Sequence, residues 1–188
     1  MCEDPQTKNM DGPPVDLSFH DITFLTGALS KKPRIGRRPL KMNSEEKYLS
    51  RCLRLNNNSI FNLGGLQYIV NSLLAQPSML GWLDLSFNEI SCIDPVLCEL
   101  HELRVLYLHG NGIWMLSDVD KLRTLQHLRT ITLHGNDIEK QKNYRSSVIF
   151  ALPQLKTLDF SVVTPAERRL ANIWRPCSNR GKTPWSLG

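Results

Sequence analysis

The sequence has no hydrophobic run of the roughly 18 residues that a membrane-spanning helix requires. Its first 14 residues are polar and include Glu3, Asp4 and Asp11, so the apolar core of a secretory signal is also missing. These two absences argue against a membrane partner and against secretion. We therefore expect a cytoplasmic protein.

Motifs for catalysis and for tightly bound cofactors are missing as well. There is no G-x-S-x-G, no H-E-x-x-H, no phosphate-binding loop and no G-x-G-x-x-G. Asp84 and Asp159 lie three predicted strands apart, so they are not placed as an acid–base pair. The five cysteines are odd in number and irregular in spacing, which predicts reduced thiols instead of a disulfide framework or a zinc site. We expect a protein that is not an enzyme and that binds no cofactor or metal.

Acidic residues are absent from residues 31–41, the segment that we call the basic arm. Its basic side chains are Lys31, Lys32, Arg34, Arg37, Arg38 and Lys41. They are six of the 23 Lys and Arg in the chain, and the other 17 are balanced by 18 Asp and Glu. Such an arm favours contact with an acidic protein surface or with nucleic acid. A solvated linker is the alternative interpretation.

A short motif recurs along the chain. The template L-x-x-L-x-L-x-x-N-x-L fits fully three times, starting at Leu80, Leu103 and Leu128. A fourth copy starts at Ser50, which is the only polar residue at a leucine position of that copy. A half copy uses Leu155, Leu158 and Phe160 as the last strand. The repeat asparagines are Asn58, Asn88, Asn111 and Asn136, at intervals of 30, 23 and 25 residues. Five constrained positions repeated three times predict a stack of similar structural units.

Each position of the motif has a physical role. Alternate leucines such as Leu83 and Leu85 point inward from a short strand. The asparagine amide can bond the backbone groups that the following turn leaves unpaired. The return segments carry helical spacing, which is clearest from Leu66 to Leu74, before Pro77. The sequence therefore predicts an α/β solenoid: a right-handed curved stack of about four repeats with a concave parallel β-sheet and a C-terminal helical cap.

The two ends of the stack require caps. We predict a disordered tail over residues 1–14, an N-terminal cap and basic arm over 15–48, repeats over 49–139, a C-terminal cap over 140–175 and a flexible tail over 176–188. A short helix is expected from Asp21 to Leu29, in a segment that either caps the first repeat or folds on a partner. Thr164 and Glu167 form a predicted capping box for a helix that ends near Trp174. Leu170 and Ile173 of that helix are expected to cover the last repeat.

These motifs resemble those of a known family. The repeats are similar to the leucine-rich-repeat class found in a phosphatase regulatory subunit, a spliceosomal snRNP protein and an axonemal dynein light chain. Residues 143–168 resemble the C-terminal cap of that class, and residues 36–41 and 93–97 carry a narrower resemblance to one of its members. The resemblance implies a cytoplasmic, non-enzymatic adaptor for a protein partner, with ties to cilia or flagella and so to axonemal or cytoskeletal partners.

Side chains between the inward leucines are expected to face the concave side. The predicted partner-binding residues are Arg54, Trp82, Asp84, Phe87, Tyr107, His109 and His134. Exposed aromatic residues on a rigid surface are typical binding hot spots, although ordinary exposed aromatics are the alternative. His109 and His134 occupy matching positions, but no third metal ligand is apparent. The alternative function is an RNA–protein adaptor that uses the basic arm, which is disfavoured because no aromatic residues interleave the arm.

Overall fold

The structure is a computed structural model that describes residues 12–173. The flexible tail predicted for residues 176–188, most of the tail predicted for residues 1–14, and Trp174 lie outside the described residues.

Seven short strands form one sheet in which the spatial order follows the chain. They are β1 (Val15–Asp16), β2 (Cys52–Arg54), β3 (Trp82–Asp84), β4 (Val105–Tyr107), β5 (Thr130–Thr132), β6 (Thr157–Leu158) and β7 (Ser161–Val162). The first six strands are parallel, and β7 is antiparallel to β6. A sheet with this order, with return segments between its parallel strands, is the predicted solenoid, and the expected fold class is confirmed.

The inward leucines stack in register through the whole sheet. Leu53 pairs with Leu83, Leu83 with Leu106 and Leu106 with Ile131, and all four side chains are fully buried. Each of these side chains therefore meets its counterparts in the neighbouring repeats, as expected for a core that runs along the solenoid.

The repeat asparagines form a continuous hydrogen-bonded ladder behind the strands. The Asn88 Nδ2 donates to the carbonyl oxygens of Leu85 and Leu55 at 3.0 Å each, and its Oδ1 accepts from the Ile60 amide at 3.0 Å. One side chain thereby satisfies backbone groups in two successive repeats. Equivalent bonds are made by Asn58, Asn111 and Asn136. The role predicted for these asparagines is confirmed.

The return segments on the convex side depend on the length of each repeat. The longest interval contains the helix α1 (Leu66–Leu73), close to the prediction. The two shorter intervals contain the 3₁₀ helices Pro95–Glu99 and Leu116–Thr124. A third 3₁₀ helix, Asp137–Lys140, follows the last repeat asparagine. A further 3₁₀ turn, Pro77–Met79, leads from α1 into β3.

The N-terminal segment differs from the prediction because it contains an additional, degraded repeat. Residues 16–22 read Asp-Leu-Ser-Phe-His-Asp-Ile and residues 84–90 read Asp-Leu-Ser-Phe-Asn-Glu-Ile, so His20 replaces the repeat asparagine. β1 precedes the strand that was expected to be the first, and the helix predicted from Asp21 to Leu29 is a 3₁₀ helix, Leu25–Ser30. The amide of His20 donates to the Asn58 Oδ1 at 2.9 Å, which joins this repeat to the ladder.

The C-terminal end is closed by α2 (Tyr144–Ala151) and α3 (Pro165–Ile173). The predicted capping box is present, since the Thr164 amide donates to the Glu167 Oε2 at 2.8 Å and the Glu167 amide to the Thr164 Oγ at 3.2 Å. The expectation that Leu170 and Ile173 cover the last repeat is wrong, because both are exposed and only Ala171 of α3 is buried. The apolar side of α2 packs into the core instead, and α3 packs against α2.

Candidate functional site

The parallel register brings the predicted concave residues side by side. Trp82 lies opposite Val105, and Asp84 lies opposite Tyr107. The rings of Trp82 and Tyr107 meet edge to face with centroids 6.0 Å apart. Two of the predicted partner-binding residues are therefore in direct contact in the structure.

More rings lie at the ends of the strands, where the chain leaves the sheet after each strand. The rings of His109 and His134 are stacked, with centroids 4.7 Å apart and planes inclined by 9°. Phe87 meets His109 edge to face at 5.0 Å, and Tyr107 lies 6.0 Å from His109. Together with Phe160, described next, these side chains form what we call the aromatic surface: Trp82, Phe87, Tyr107, His109, His134 and Phe160.

Phe160 was expected to point into the core, and this expectation is wrong. Its side chain is 60% exposed, and its ring centroid lies 5.6 Å from those of Tyr107 and His134. Asp159 and Phe160 have φ angles of 51° and 60° and connect the antiparallel strands β6 and β7. Two consecutive residues with positive φ are the requirement of a tight two-residue hairpin. The hairpin turns Phe160 out of the repeat pattern and onto the concave side.

Phe87 also occupies a backbone conformation that favours glycine. Its φ is 52°, and the equivalent residues of the next two repeats are Gly110 and Gly135, with φ angles of 67° and 69°. The ring of Phe87 lies over Gly110, where a Cβ atom would approach the Phe87 Cδ1 to 2.6 Å. A bulky residue with positive φ is unusual and costs backbone energy. The repeat thus holds a 52% exposed phenylalanine with positive φ, whose ring occupies the space that a side chain at Gly110 would need.

Arg54 and Asp84 are brought together with a third residue, Asp16, which was not predicted. The Arg54 Nη1 donates to the Asp16 Oδ2 at 3.0 Å, and its Nε lies 3.8 Å from the Asp84 Oδ2. Asp84 is only 5% exposed and also accepts from the Ser86 hydroxyl at 2.6 Å. The Asp84 carboxylate is therefore occupied inside the protein and serves to position Arg54. The repeated Asp-Leu-Ser-Phe sequence is the signal that could have identified Asp16.

The two histidines sit in different polar surroundings. The His109 Nδ1 lies 2.7 Å from the Oγ of the buried Thr132, and the His134 Nδ1 lies 3.2 Å from the Asp159 Oδ1. Burial lowers the pKa of His109, and the adjacent His134 lowers it further. The carboxylates of Asp84 and Asp159 raise this pKa but do not reverse the shift. His109 is consequently biased toward its neutral form.

Asp159 is the anchor at this end of the surface. Its Oδ1 accepts from the amides of Leu133 and His134 at 2.7 and 2.9 Å, and the Tyr144 hydroxyl donates to its Oδ2 at 2.8 Å. Burial raises the pKa of Tyr144, with a further contribution from this carboxylate, so the hydroxyl keeps its proton. Within residues 12–173 no group of three His, Cys, Asp or Glu side chains is arranged to hold a metal ion.

The basic arm lies along the outer edge of β1. The Arg34 amide donates to the Asp16 carbonyl at 2.7 Å, and the Arg34 guanidinium lies over the Phe19 ring, 5.4 Å from its centroid. The side chains of Lys31, Lys32, Arg37, Arg38 and Lys41 are exposed. The arm is separate from the aromatic surface, so the predicted site residues form two groups. In the described part of the chain no helix is long and apolar enough to span a membrane.

A sheet of stacked strand-and-turn units joined by an asparagine ladder defines a leucine-rich repeat protein. The leucine-rich repeat family model matches residues 52–183, and the chain belongs to this family. The narrower resemblance is to leucine-rich repeat-containing protein 51. The chain is 44% identical to the Rattus norvegicus protein over 172 residues, which cover 92% of the chain and 90% of the relative. It is 42% identical to the Homo sapiens protein over 183 residues, which cover 97% and 95% respectively.

A solved structure shares the fold. A chain in the crystal structure of the Drosophila melanogaster SNF/U2A′ complex matches with a TM-score of 0.62 and 24% identity, covering 85% of this chain and 79% of that one. At this identity the match supports the architecture alone. Membership of the leucine-rich repeat family supports a role in protein interaction.

Proposed function

We propose that this protein is a non-catalytic adaptor that binds a partner protein through the aromatic surface. The observation that carries the proposal is the continuous set of six rings on neighbouring strands and turns, with Phe87 and Phe160 more than half exposed. Aromatic side chains on a rigid support contribute large contact areas at little cost in conformational entropy, and they dominate the energetics of many interfaces.

Backbone strain supports the same proposal. Phe87 and Phe160 both have φ angles near 55° that glycine or asparagine would adopt more easily, and neither is in the core. Strained residues that do not contribute to packing tend to cluster at functional sites. Retention of these two phenylalanines is explained if their rings contact a partner.

The partner that we propose to seek first is an axonemal or cytoskeletal protein, in the cytoplasm or in a cilium or flagellum. The resemblance of the repeats to those of an axonemal dynein light chain supports this choice.

The test is an affinity pull-down from ciliated tissue, read by quantitative mass spectrometry, followed by titration of purified candidates. The informative variant is Phe87→Ala with Phe160→Ala. The matched control is Phe24→Ala with Trp114→Ala, which removes two similarly exposed rings from outside the aromatic surface. Proteins recovered with the wild type and the control but lost with the first variant identify the partner. Equal recovery with both variants would rule out binding through the aromatic surface.

A further inference from the structure

The basic arm encloses a cavity against the first two strands. The loop between residues 34 and 41 is held at its start by the bond from the Arg34 amide to Asp16, and at its end by the Leu49 amide, which donates to the Lys41 carbonyl at 2.8 Å. Between these anchors the loop stands away from the sheet and leaves a cavity of about 570 Å³. Cavities of roughly 300–1,000 Å³ are the size that ligands occupy in proteins.

Four of the residues that line the cavity are arginines, and these are Arg34, Arg37, Arg38 and Arg54. Asp16 is the only acidic residue among the lining side chains, and its carboxylate is already bonded to Arg54 and, at 2.6 Å, to the Ser18 hydroxyl. Across residues 12–173 the structure gives Arg37 and Arg38 no ion pair with any carboxylate. Two arginines at the cavity therefore carry positive charge that no carboxylate among residues 12–173 pairs with.

The remaining walls are apolar and poor in hydrogen-bond donors. Pro13, Pro14, Pro33 and Pro39 line the cavity, and proline has no amide hydrogen to donate. Ile35 is also a lining residue, and its side chain is fully exposed. A ligand would meet guanidinium donors separated by apolar surface.

We propose that this cavity binds an extended acidic segment of a partner protein, in which carboxylates alternate with apolar side chains. The carboxylates would pair with Arg37 and Arg38, whose planar guanidinium groups suit bidentate bonds to carboxylates. The apolar residues of the segment would contact Ile35 and the proline walls.

The same features argue against nucleic acid as the ligand. Proteins that bind single strands combine positive charge with aromatic rings on which the bases stack. Residues 31–41 contain no aromatic side chain, and the Arg34 guanidinium lies over one face of the adjacent Phe19 ring, 5.4 Å from its centroid. No aromatic residue lines the cavity itself, so it has the charge for an RNA backbone but no stacking platform of its own.

The experiment measures the fluorescence anisotropy of a short labelled peptide of alternating Glu and Leu while the protein, as the full 188-residue chain, is added. The same titration is made with a labelled RNA oligonucleotide of equal charge. We expect the peptide to bind more tightly than the RNA, and its affinity to fall as salt is raised. The variant Arg37→Gln with Arg38→Gln should weaken peptide binding by about fivefold or more. Both side chains are exposed and have no ion pair among residues 12–173, so the substitution should leave the fold intact.

The matched control is Arg104→Gln with Arg169→Gln, which removes two exposed arginines elsewhere and should leave peptide affinity unchanged. The proposal would be overturned if the control variant weakened peptide binding equally, or if the Arg37 and Arg38 variant bound the peptide as tightly as the wild type. Tighter binding of the RNA than of the peptide would overturn it as well. The Phe87→Ala and Phe160→Ala variant should bind the peptide normally, because the aromatic surface is separate. Failure of the acidic-segment proposal and failure of the proposed function are thus distinguishable.

Discussion

At the scale of single residues, the environment of His109 has a measurable consequence. The ring is partly buried, stacks on His134 and points its Nδ1 at Thr132. Burial lowers the pKa of His109 below its usual value of 6.5, and the neighbouring His134 contributes in the same direction. Protonation would place a positive charge on a partly buried ring.

We predict that the free energy of unfolding falls as the pH is lowered through and below 6.5. The unfolded chain binds a proton at His109 at higher pH than the folded chain does, so acidification favours unfolding. Side-chain NMR titration should give His109 a pKa below 6.5, and urea unfolding at neutral and mildly acidic pH should show the loss of stability.

The matched variants are His109→Gln and His101→Gln. His101 is exposed and lies outside the aromatic surface. The pH dependence should shrink in the first variant and persist in the second. A His109 that titrates above 6.5 would contradict the described burial and stacking.

Residue positions within the aromatic surface were only partly predictable. Alternation along a strand placed Trp82 and Tyr107 correctly on the concave side. The same alternation assigned Phe160 to the core, because it assumes that the strand continues. The hairpin at Asp159 and Phe160 reverses the chain, and no glycine marks that turn in the sequence.

At the scale of structural elements, the repeats are joined by the hydrogen bonds of the asparagine ladder in addition to those between the short strands. Each strand has two or three residues, whereas each ladder asparagine bonds backbone groups in two repeats. Buried backbone groups that lose their partners are costly, because water does not reach them.

We predict that Asn88→Ala lowers the free energy of unfolding by at least about 2 kcal/mol. The change leaves the carbonyls of Leu55 and Leu85 without this donor and the Ile60 amide without its acceptor. Urea denaturation followed by tryptophan fluorescence measures the effect. The control is Asn71→Ala on the exposed side of α1, which should change stability by less than about 0.5 kcal/mol. Similar values for the two variants would show that the ladder does not stabilise the fold.

The ladder also explains which elements could be predicted from the sequence. Four repeats were predictable because leucines and an asparagine recur together. The repeat that contains β1 does not match the template, because His20 stands in the asparagine position. In this repeat only the His20 backbone amide takes part in the ladder, by donating to the Asn58 Oδ1. The repeated Asp-Leu-Ser-Phe sequence remained as a signal, but its leucine is the only one of its four residues that the template constrains.

At the scale of the whole molecule, the protein is a stack whose stability depends on its ends. Each repeat buries its apolar side only against its neighbours, so an uncovered terminal repeat would expose core. The C-terminal end is closed by α2, and the N-terminal end by the segment that contains β1. Leu17, Ile22 and Leu25 of this segment are buried in the core that also contains Leu53 and Leu55.

The N-terminal segment could act as a cap or as a docking element for a partner, and these roles predict different effects of mutation. If it is a cap, Leu17→Ala should lower the free energy of unfolding by about 2–5 kcal/mol, because a fully buried leucine leaves a cavity. The control Leu29→Ala, at a residue that is 38% exposed in the same segment, should cost less than about 1 kcal/mol. Urea unfolding of both variants should remain one cooperative transition, since a short stack unfolds as a unit. If Leu17→Ala shifts the midpoint no more than Leu29→Ala, the segment does not close the stack, and a docking role becomes the better explanation of its apolar residues.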